Sequence, residues 1–141
     1  MSELKPHDKA VILLVEDNHA DVTLVEEALS EAGVVCTLQV VTDGSEAIEM
    51  IERLDADASL PGPELILLDL NLPRVSGEDV LRRVRSKGRC QAIPVLVVSS
   101  SAAPVDRQRA MSLGATDYFR KPSSLDEFLE LGPKVRDLLR S

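Results

Sequence analysis

The chain has 141 residues, 44% of them apolar and 2% aromatic, with a formal net charge of −8. That length suits one domain with a single substantial core, which the shortage of aromatic residues leaves to Val, Leu, Ile and Ala. The negative charge argues against a nucleic-acid or anionic-membrane surface, which needs a basic patch.

No stretch approaches membrane-spanning length, and the polar opening residues Met1 to Ala10 lack the apolar centre of a secretion signal. Cys36 and Cys90 make no CxxC and have no metal-ligand spacing. They read as free thiols in a reducing compartment, so the expected location is the cytoplasm.

Residues 1–10 read as a loose tail and residues 11–141 as one domain. Val11-Ile12-Leu13-Leu14-Val15 is a continuous apolar run, read as a buried strand ending in Glu16 and Asp17. Asn18 is expected to cap a helix, with Asp21 as its capping-box partner. Val22, Val25, Leu29 and Ala32 form that helix's apolar stripe, and Gly33 ends it. Val34 to Val41 alternates in part and reads as a strand nearer an edge. Asp43-Gly44-Ser45-Glu46 opens a second helix with a second capping box. Asp55 to Pro63, with Pro61-Gly62-Pro63, reads as a surface loop.

Leu65 to Leu68 is a third buried strand, stopped abruptly by Asp69. Ser76-Gly77-Glu78-Asp79 caps a third helix carrying Val80, Leu81 and Val84. Arg82, Arg83, Arg85, Lys87 and Arg89 gather near its end. They are expected to form a solvated face that complements the helix dipole. Pro94 to Val98 is a fourth buried strand, followed by Ser99-Ser100-Ser101. Pro104 starts a fourth helix and Gly114 closes it. Its stripe of Val105, Met111 and Leu113 is weak, so this helix should be the least firmly anchored. Met50 and Met111 read as core filler. Thr116 to Phe119 is a short fifth strand, followed by Lys121-Pro122. Ser123 or Ser124 caps the last helix, whose inward side is Leu125, Phe128, Leu129, Val135, Leu138 and Leu139. Gly132-Pro133 should kink or break it.

Five strands alternating with five helices imply an α/β fold with a doubly wound parallel sheet. The carboxyl ends of such strands share one edge, where ligands bind. Glu16, Asp17, Asp69 and Ser99 therefore converge there, joined by Lys121. Three carboxylates brought together repel unless a cation joins them, and hard oxygen ligands with an open sphere suit Mg²⁺. With Lys121 as a positive charge and Ser99 as a hydroxyl donor, the edge becomes a socket for a phosphoryl group. Asp69 is the candidate nucleophile. His19 has no metal-ligand spacing and reads as a residue at a helix start. No GxxxxGK[ST] or GxGxxG occurs, so no nucleotide cradle is indicated.

Four stretches carry a resemblance over nearly the whole chain, from Val11 to Leu139. They are Val15-Glu16-Asp17-Asn18; Leu67-Leu68-Asp69-Leu70-Asn71-Leu72-Pro73 with Gly77; Pro94 to Ser99; and Gly114-Ala115-Thr116-Asp117-Tyr118-Phe119-Arg120-Lys121-Pro122. In this order they resemble the receiver domain of two-component response regulators. The resemblance implies a flavodoxin-like strand order 2-1-3-4-5 and phosphorylation of Asp69 by a histidine kinase. It further implies that Asp17, Asp69 and the Asn71 carbonyl bind Mg²⁺, with Glu16 acting through a metal-bound water. Ser99 would bind the phosphoryl group, Lys121 would pair with it, Lys121-Pro122 would be a cis peptide, and Tyr118 would be the aromatic switch. Asn71 and Ser100 flank the site and should govern access of attacking water.

The long loop and the serine triplet resemble small stand-alone receivers, some paired with bacterial phytochromes. That subgroup can form homodimers through the face of the fourth helix, fifth strand and fifth helix, so the resemblance implies a homodimer as one assembly. The chain stops after the fifth helix, so output is expected through a protein or phosphotransfer partner. A receiver catalyses only its own phosphorylation and dephosphorylation and is in that sense not an enzyme. Two rival readings are a Mg²⁺-dependent aspartyl-phosphate phosphohydrolase and a phosphorylation-independent interaction module. The first wants a second Asp two residues after the nucleophile, where this chain has Asn71.

Overall fold

A run of apolar residues with no polar face is stable as a strand only when both its faces are covered. In the computed structural model, which describes residues 9–140, three such runs form the centre of the molecule. β1 (Ala10–Val15), β3 (Leu65–Leu68) and β4 (Val95–Ser99) lie side by side, with β2 (Cys36–Val41) and β5 (Asp117–Arg120) outside them. All pairings are parallel and the order is β2-β1-β3-β4-β5. β2 is an edge strand of mixed exposure, which matches its partial alternation. The tail expected over residues 1–10 lies almost wholly outside the described residues, and Ala10 already belongs to β1.

The twofold period of a strand divides these residues between two cores. Ile12, Leu14, Leu65, Leu67, Leu96 and Val98 face α1 (His19–Glu31), α5 (Leu125–Phe128) and α6 (Leu131–Arg140). Leu13, Val15, Ile66, Leu68, Val95 and Val97 face α2 (Gly44–Ala56), α3 (Gly77–Arg85) and α4 (Pro104–Ser112). Each fully buried Leu, Ile or Val contributes about 1.5–3 kcal/mol of apolar transfer free energy, so the sheet is a rigid platform for its carboxyl edge.

The last helix is broken, though not at Gly132-Pro133. α5 is capped by Ser124, whose Oγ accepts from the Glu127 amide at 3.3 Å, and α6 resumes after Leu129-Glu130. Pro133 sits in the first turn of α6, where its missing N–H costs nothing. Gly132 is required by packing: a Cβ there would lie 2.3 Å from the Ala28 carbonyl of α1. Leu125, expected inside, is exposed, and Phe128 fills the interior by meeting Phe119 edge to face at 6.0 Å.

α4 is weakly anchored, as expected, but by a different residue. Ala110 is its buried side chain, while Val105 is 66% exposed and Met111 38% exposed. On a helix, residues five apart sit roughly 140° from one another, so a helix resting on Ala110 turns Val105 to solvent. Met111 therefore does not fill the core.

Of the basic cluster at the end of α3, Arg82 and Lys87 are exposed as expected, but Arg83, Arg85 and Arg89 are tied down. Arg85 donates to three carbonyls, those of Gly114 (2.8 Å), Ile93 (2.6 Å) and Gln91 (3.1 Å). Arg89 donates to the carbonyls of Leu54 (3.2 Å), Asp57 (3.1 Å) and Leu60, and Arg83 pairs with Asp55 at 2.6 Å. The guanidinium fork suits it to gathering several carbonyls at once, so these residues fasten loops that have no core of their own.

Candidate functional site

Parallel strands deliver their next residues to one rim, and the backbone fixes each in turn. The amide of Glu16 donates to the Val41 carbonyl, that of Asp69 to Val15 and that of Lys121 to Ser99. The buried runs behind them therefore set where the polar groups stand. Beyond β3 the chain doubles back closely: a Cβ on Gly77 would lie 2.4 Å from the Asp69 carbonyl oxygen. Glycine at 77 is what lets the loop close over the end of the strand.

Glu16, Asp17, Asn18, Asp21, Asp69, Asn71, Ser100 and Lys121 line a cleft of about 530 Å³ on this rim. One carboxylate oxygen from each of Glu16, Asp17 and Asp69 lies within 4.8 Å of the others. Glu16 and Asp69 are buried and Asp17 is exposed. The Asn71 amide donates to Asp69 Oδ1 at 3.1 Å and holds that carboxylate in a fixed orientation.

Lys121 is the counter-charge. Its Nζ lies 2.7 Å from Glu16 Oε1, 2.8 Å from Asp21 Oδ2 and 3.5 Å from Asp69 Oδ2. Burial by itself would lower its pKa, but the carboxylates of Asp21, Glu16 and Asp69 outweigh that and hold the ammonium above its ordinary value. Burial pushes the Glu16 carboxyl up to about 7, Lys121 opposes the rise and the nearby Asp69 adds to it. Two buried carboxylates this close are the electrostatic situation a divalent cation relieves. Oxygens on one Mg²⁺, each at 2.0–2.1 Å, stand at most about 4.2 Å apart, so this all-oxygen set fits the ion with a small inward adjustment.

The structure brings Glu16, Asp17, Asp69, Asn71 and Lys121 together, but not every expected residue joins them. The Ser99 side chain is buried and lines an adjoining hollow with Asn71, Ser76, Ser101 and Asp106, and its Oγ accepts from the Ser101 amide at 3.2 Å. Ser100 is the serine on the acidic cleft. Tyr118 lies away from the cleft, buried beside α4, its hydroxyl donating to the Ser101 carbonyl at 2.9 Å and its ring under the Arg107 guanidinium at 5.8 Å. No peptide bond among the described residues is cis, so Lys121-Pro122 is trans. Trans is the default for X–Pro bonds by about 0.5–1 kcal/mol, and the Lys121 amide meets the Ser99 carbonyl in that form.

Two residues escaped sequence reasoning. Asn18 caps α1 with its own side chain as expected, but Asp21 does not complete the capping box, because the Asn18 amide donates to Glu16 Oε2. The available signal was position, since Asp21 follows Asp17 by four residues at the start of a helix. Ser101 connects three groups: besides Ser99 and Tyr118, its hydroxyl bonds the Asp106 carboxylate in the first turn of α4.

A doubly wound parallel sheet with an acidic, lysine-paired cleft at its carboxyl rim is the architecture of a phosphoryl-accepting signalling domain. The response regulator receiver domain model matches residues 12–131, and the chain belongs to that family. The chain is 33% identical over 134 residues to the probable methanogenesis regulatory protein FilR2 of Methanothrix harundinacea, covering 95% of this chain and 86% of that one. It is 34% identical over 121 residues to the response regulator Rcp1 of a Synechocystis species, covering 86% and 82%. The Mn²⁺-bound structure of Rcp1 superposes with a TM-score of 0.79 at 32% identity, over 91% of this chain and 92% of that one. The phosphorylated cyanobacterial phytochrome response regulator RcpA superposes with a TM-score of 0.83 at 34% identity, over 94% and 95%. The protein is thus a response regulator of phosphorylation-dependent two-component signalling with the flavodoxin-like receiver fold. None of its described helices is long and apolar enough to cross a membrane.

Proposed function

We propose that Asp69 is the phospho-acceptor of this receiver and that a sensor histidine kinase is its donor. The observation that carries this reading is the setting of Asp69: a buried carboxylate 3.5 Å from the Lys121 ammonium and beside Glu16 and Asp17. In the reaction a carboxylate oxygen of Asp69 attacks phosphorus, the P–N bond to the donor imidazole breaks, and the leaving nitrogen takes up a proton. The Asn71 amide holds the attacking carboxylate still. Lys121 supplies positive charge against the phosphoryl oxygens.

Asp17, Asp69 and the Asn71 carbonyl would hold Mg²⁺ directly, with Glu16 behind a water. A bound Mg²⁺ would offset the negative charge of the transferring group. Ser99 and Tyr118 form the switch: Ser99 turns toward the phosphoryl group, and Tyr118 follows through their shared neighbour Ser101. The partner-binding surface beside α4 changes with them, as a shift between existing states.

The chain's catalysis is confined to its own phosphorylation and dephosphorylation. Similarity to the cyanobacterial phytochrome response regulator RcpA supports a phytochrome-type kinase as donor; a downstream protein or phosphotransfer partner is the proposed target, and a homodimer the proposed assembly. The reading places the protein in the cytoplasm. Incubation with acetyl phosphate and Mg²⁺ should phosphorylate the chain and Asp69→Asn should abolish it; undiminished labelling of that variant refutes the assignment.

A further inference from the structure

Asp21 is the cleft residue that the fold and the receiver chemistry leave without a task. It does not close the helix cap, because Asn18 Oδ1 accepts from the Ala20 and Asp21 amides and Glu16 accepts from the Asn18 amide. Its carboxylate reaches instead into the cleft, 22% exposed, to Lys121 Nζ at 2.8 Å. That contact is within 0.1 Å of the 2.7 Å one to Glu16 and shorter than the 3.5 Å to Asp69. Four carboxylates, those of Glu16, Asp17, Asp21 and Asp69, line the cleft with one ammonium among its described lining residues.

The distances set up a competition. A phosphoryl group on Asp69 needs the Lys121 ammonium on the Asp69 side, while the two short contacts draw it toward β1 and α1. Glu16 is buried and pinned by the Asn18 amide, whereas Asp21 is partly solvated and can release the ammonium at less cost. We infer that Asp21 is a positioning residue, whose carboxylate competes with the phosphoryl group for Lys121 and thereby limits how readily Asp69 is phosphorylated. This rests on Asp69 being the acceptor.

Acetyl phosphate with Mg²⁺ is the probe. Asp69 attacks phosphorus, the P–O bond to the acetyl group breaks, and acetate leaves with the electron pair. Asp21→Asn keeps the side-chain shape and removes the charge. Loss of one unit charge in a partly solvated cleft should raise the second-order rate constant for phosphorylation about fivefold. Asp21→Glu, which restores the charge, should return it to the wild-type value. The gain should vanish when Asp21→Asn is combined with Lys121→Gln, because the effect passes through that ammonium. A structural role for Asp21 would lower the thermal midpoint without this dependence on Lys121. A rate for Asp21→Asn equal to or below wild type overturns the inference, as does an equal gain in the Lys121→Gln background. If the wild-type chain accepts no phosphoryl group, the acceptor reading falls and this inference with it. If the wild type is labelled and Asp21→Asn leaves the rate unchanged, this inference falls alone.

Discussion

α3 and α4 are both nine residues long, lie on the same face of the sheet and follow strands that end at the site. They are held in opposite ways. α3 buries Val80, Leu81 and Val84 and is capped by the Ser76 side chain, and arginines from its last turn and the segment after it bind six backbone carbonyls of neighbouring segments. α4 buries Ala110, has no side-chain cap, and is fastened by polar links: Arg109 to Glu78, Arg107 to Asp117, and Asp106 to Ser101. Apolar burial resists displacement at every point of a motion, whereas solvated polar links are exchanged for water at small net cost. The helix behind the proposed nucleophile is thus fixed, and the one beside the proposed switch pair, Ser99 and Tyr118, can move by withdrawing one small core side chain, Ala110. Local opening free energies should differ accordingly, with the α4 amides exchanging hydrogen well before those of α3.

The largest effect should come from emptying the anchored helix. Leu81 is completely buried, and Leu81→Ala should cost about 2–5 kcal/mol of unfolding free energy in urea titration. A cost below 1 kcal/mol would mean that α3 is no better anchored than α4. Next comes Arg85→Ala, which strips the donor from the Gly114, Gln91 and Ile93 carbonyls. A loss of about 1–3 kcal/mol is expected from the carbonyls left without a partner. A cost near zero would return Arg85 to the solvated face that the sequence suggested.

Arg85 also shows where sequence reading stops. Leu65 to Leu68 and Val95 to Val98 were legible because an unbroken apolar run admits one environment, and the strand order placed Asp17, Asp69 and Lys121 on one rim. The Ser76 and Asn18 caps were legible because their hydrogen bonds span three residues or fewer. The partners of Arg85 lie up to 31 residues away and the Lys121 partner of Asp21 lies 100 residues away. No local pattern encodes such pairs, so a charged residue read alone defaults to a cap or a wet surface. The exposure of Val105 and Leu125 escaped for a related reason: with short helices, which apolar residue faces inward is decided by how the helix settles on its neighbours.

Asp55 gives a pH test of the same contrast, because it ties α3 and its following loop to α2. Hydrogen bonding from Arg83, with the Arg89 amide, holds the Asp55 carboxyl below its ordinary value of 3.8. A depressed carboxylate contributes stability that is present above the unfolded value and lost as pH falls through the folded one. The contribution should therefore be complete at neutral pH and disappear below about pH 4, and Asp55→Asn should flatten the acid limb of a stability–pH curve. An unchanged acid limb would show that the link holds nothing.

The smallest effect belongs to the surface of α4. Val105 is 66% exposed and does not belong to either core cluster of the described residues. Replacing it by Ser removes exposed methyl groups, leaves no cavity and strands no polar atom, so the unfolding free energy should change by no more than about 0.5 kcal/mol. Hydrogen exchange in α3 should be unaffected, and α4 should exchange as early as before, because Val105 contributes nothing to its anchoring. A loss above 1 kcal/mol, or α4 amides that exchange faster only in the variant, would mean that Val105 is pinned against the protein in solution. The contrast between a fixed α3 and a movable α4 would then fail at its weaker member.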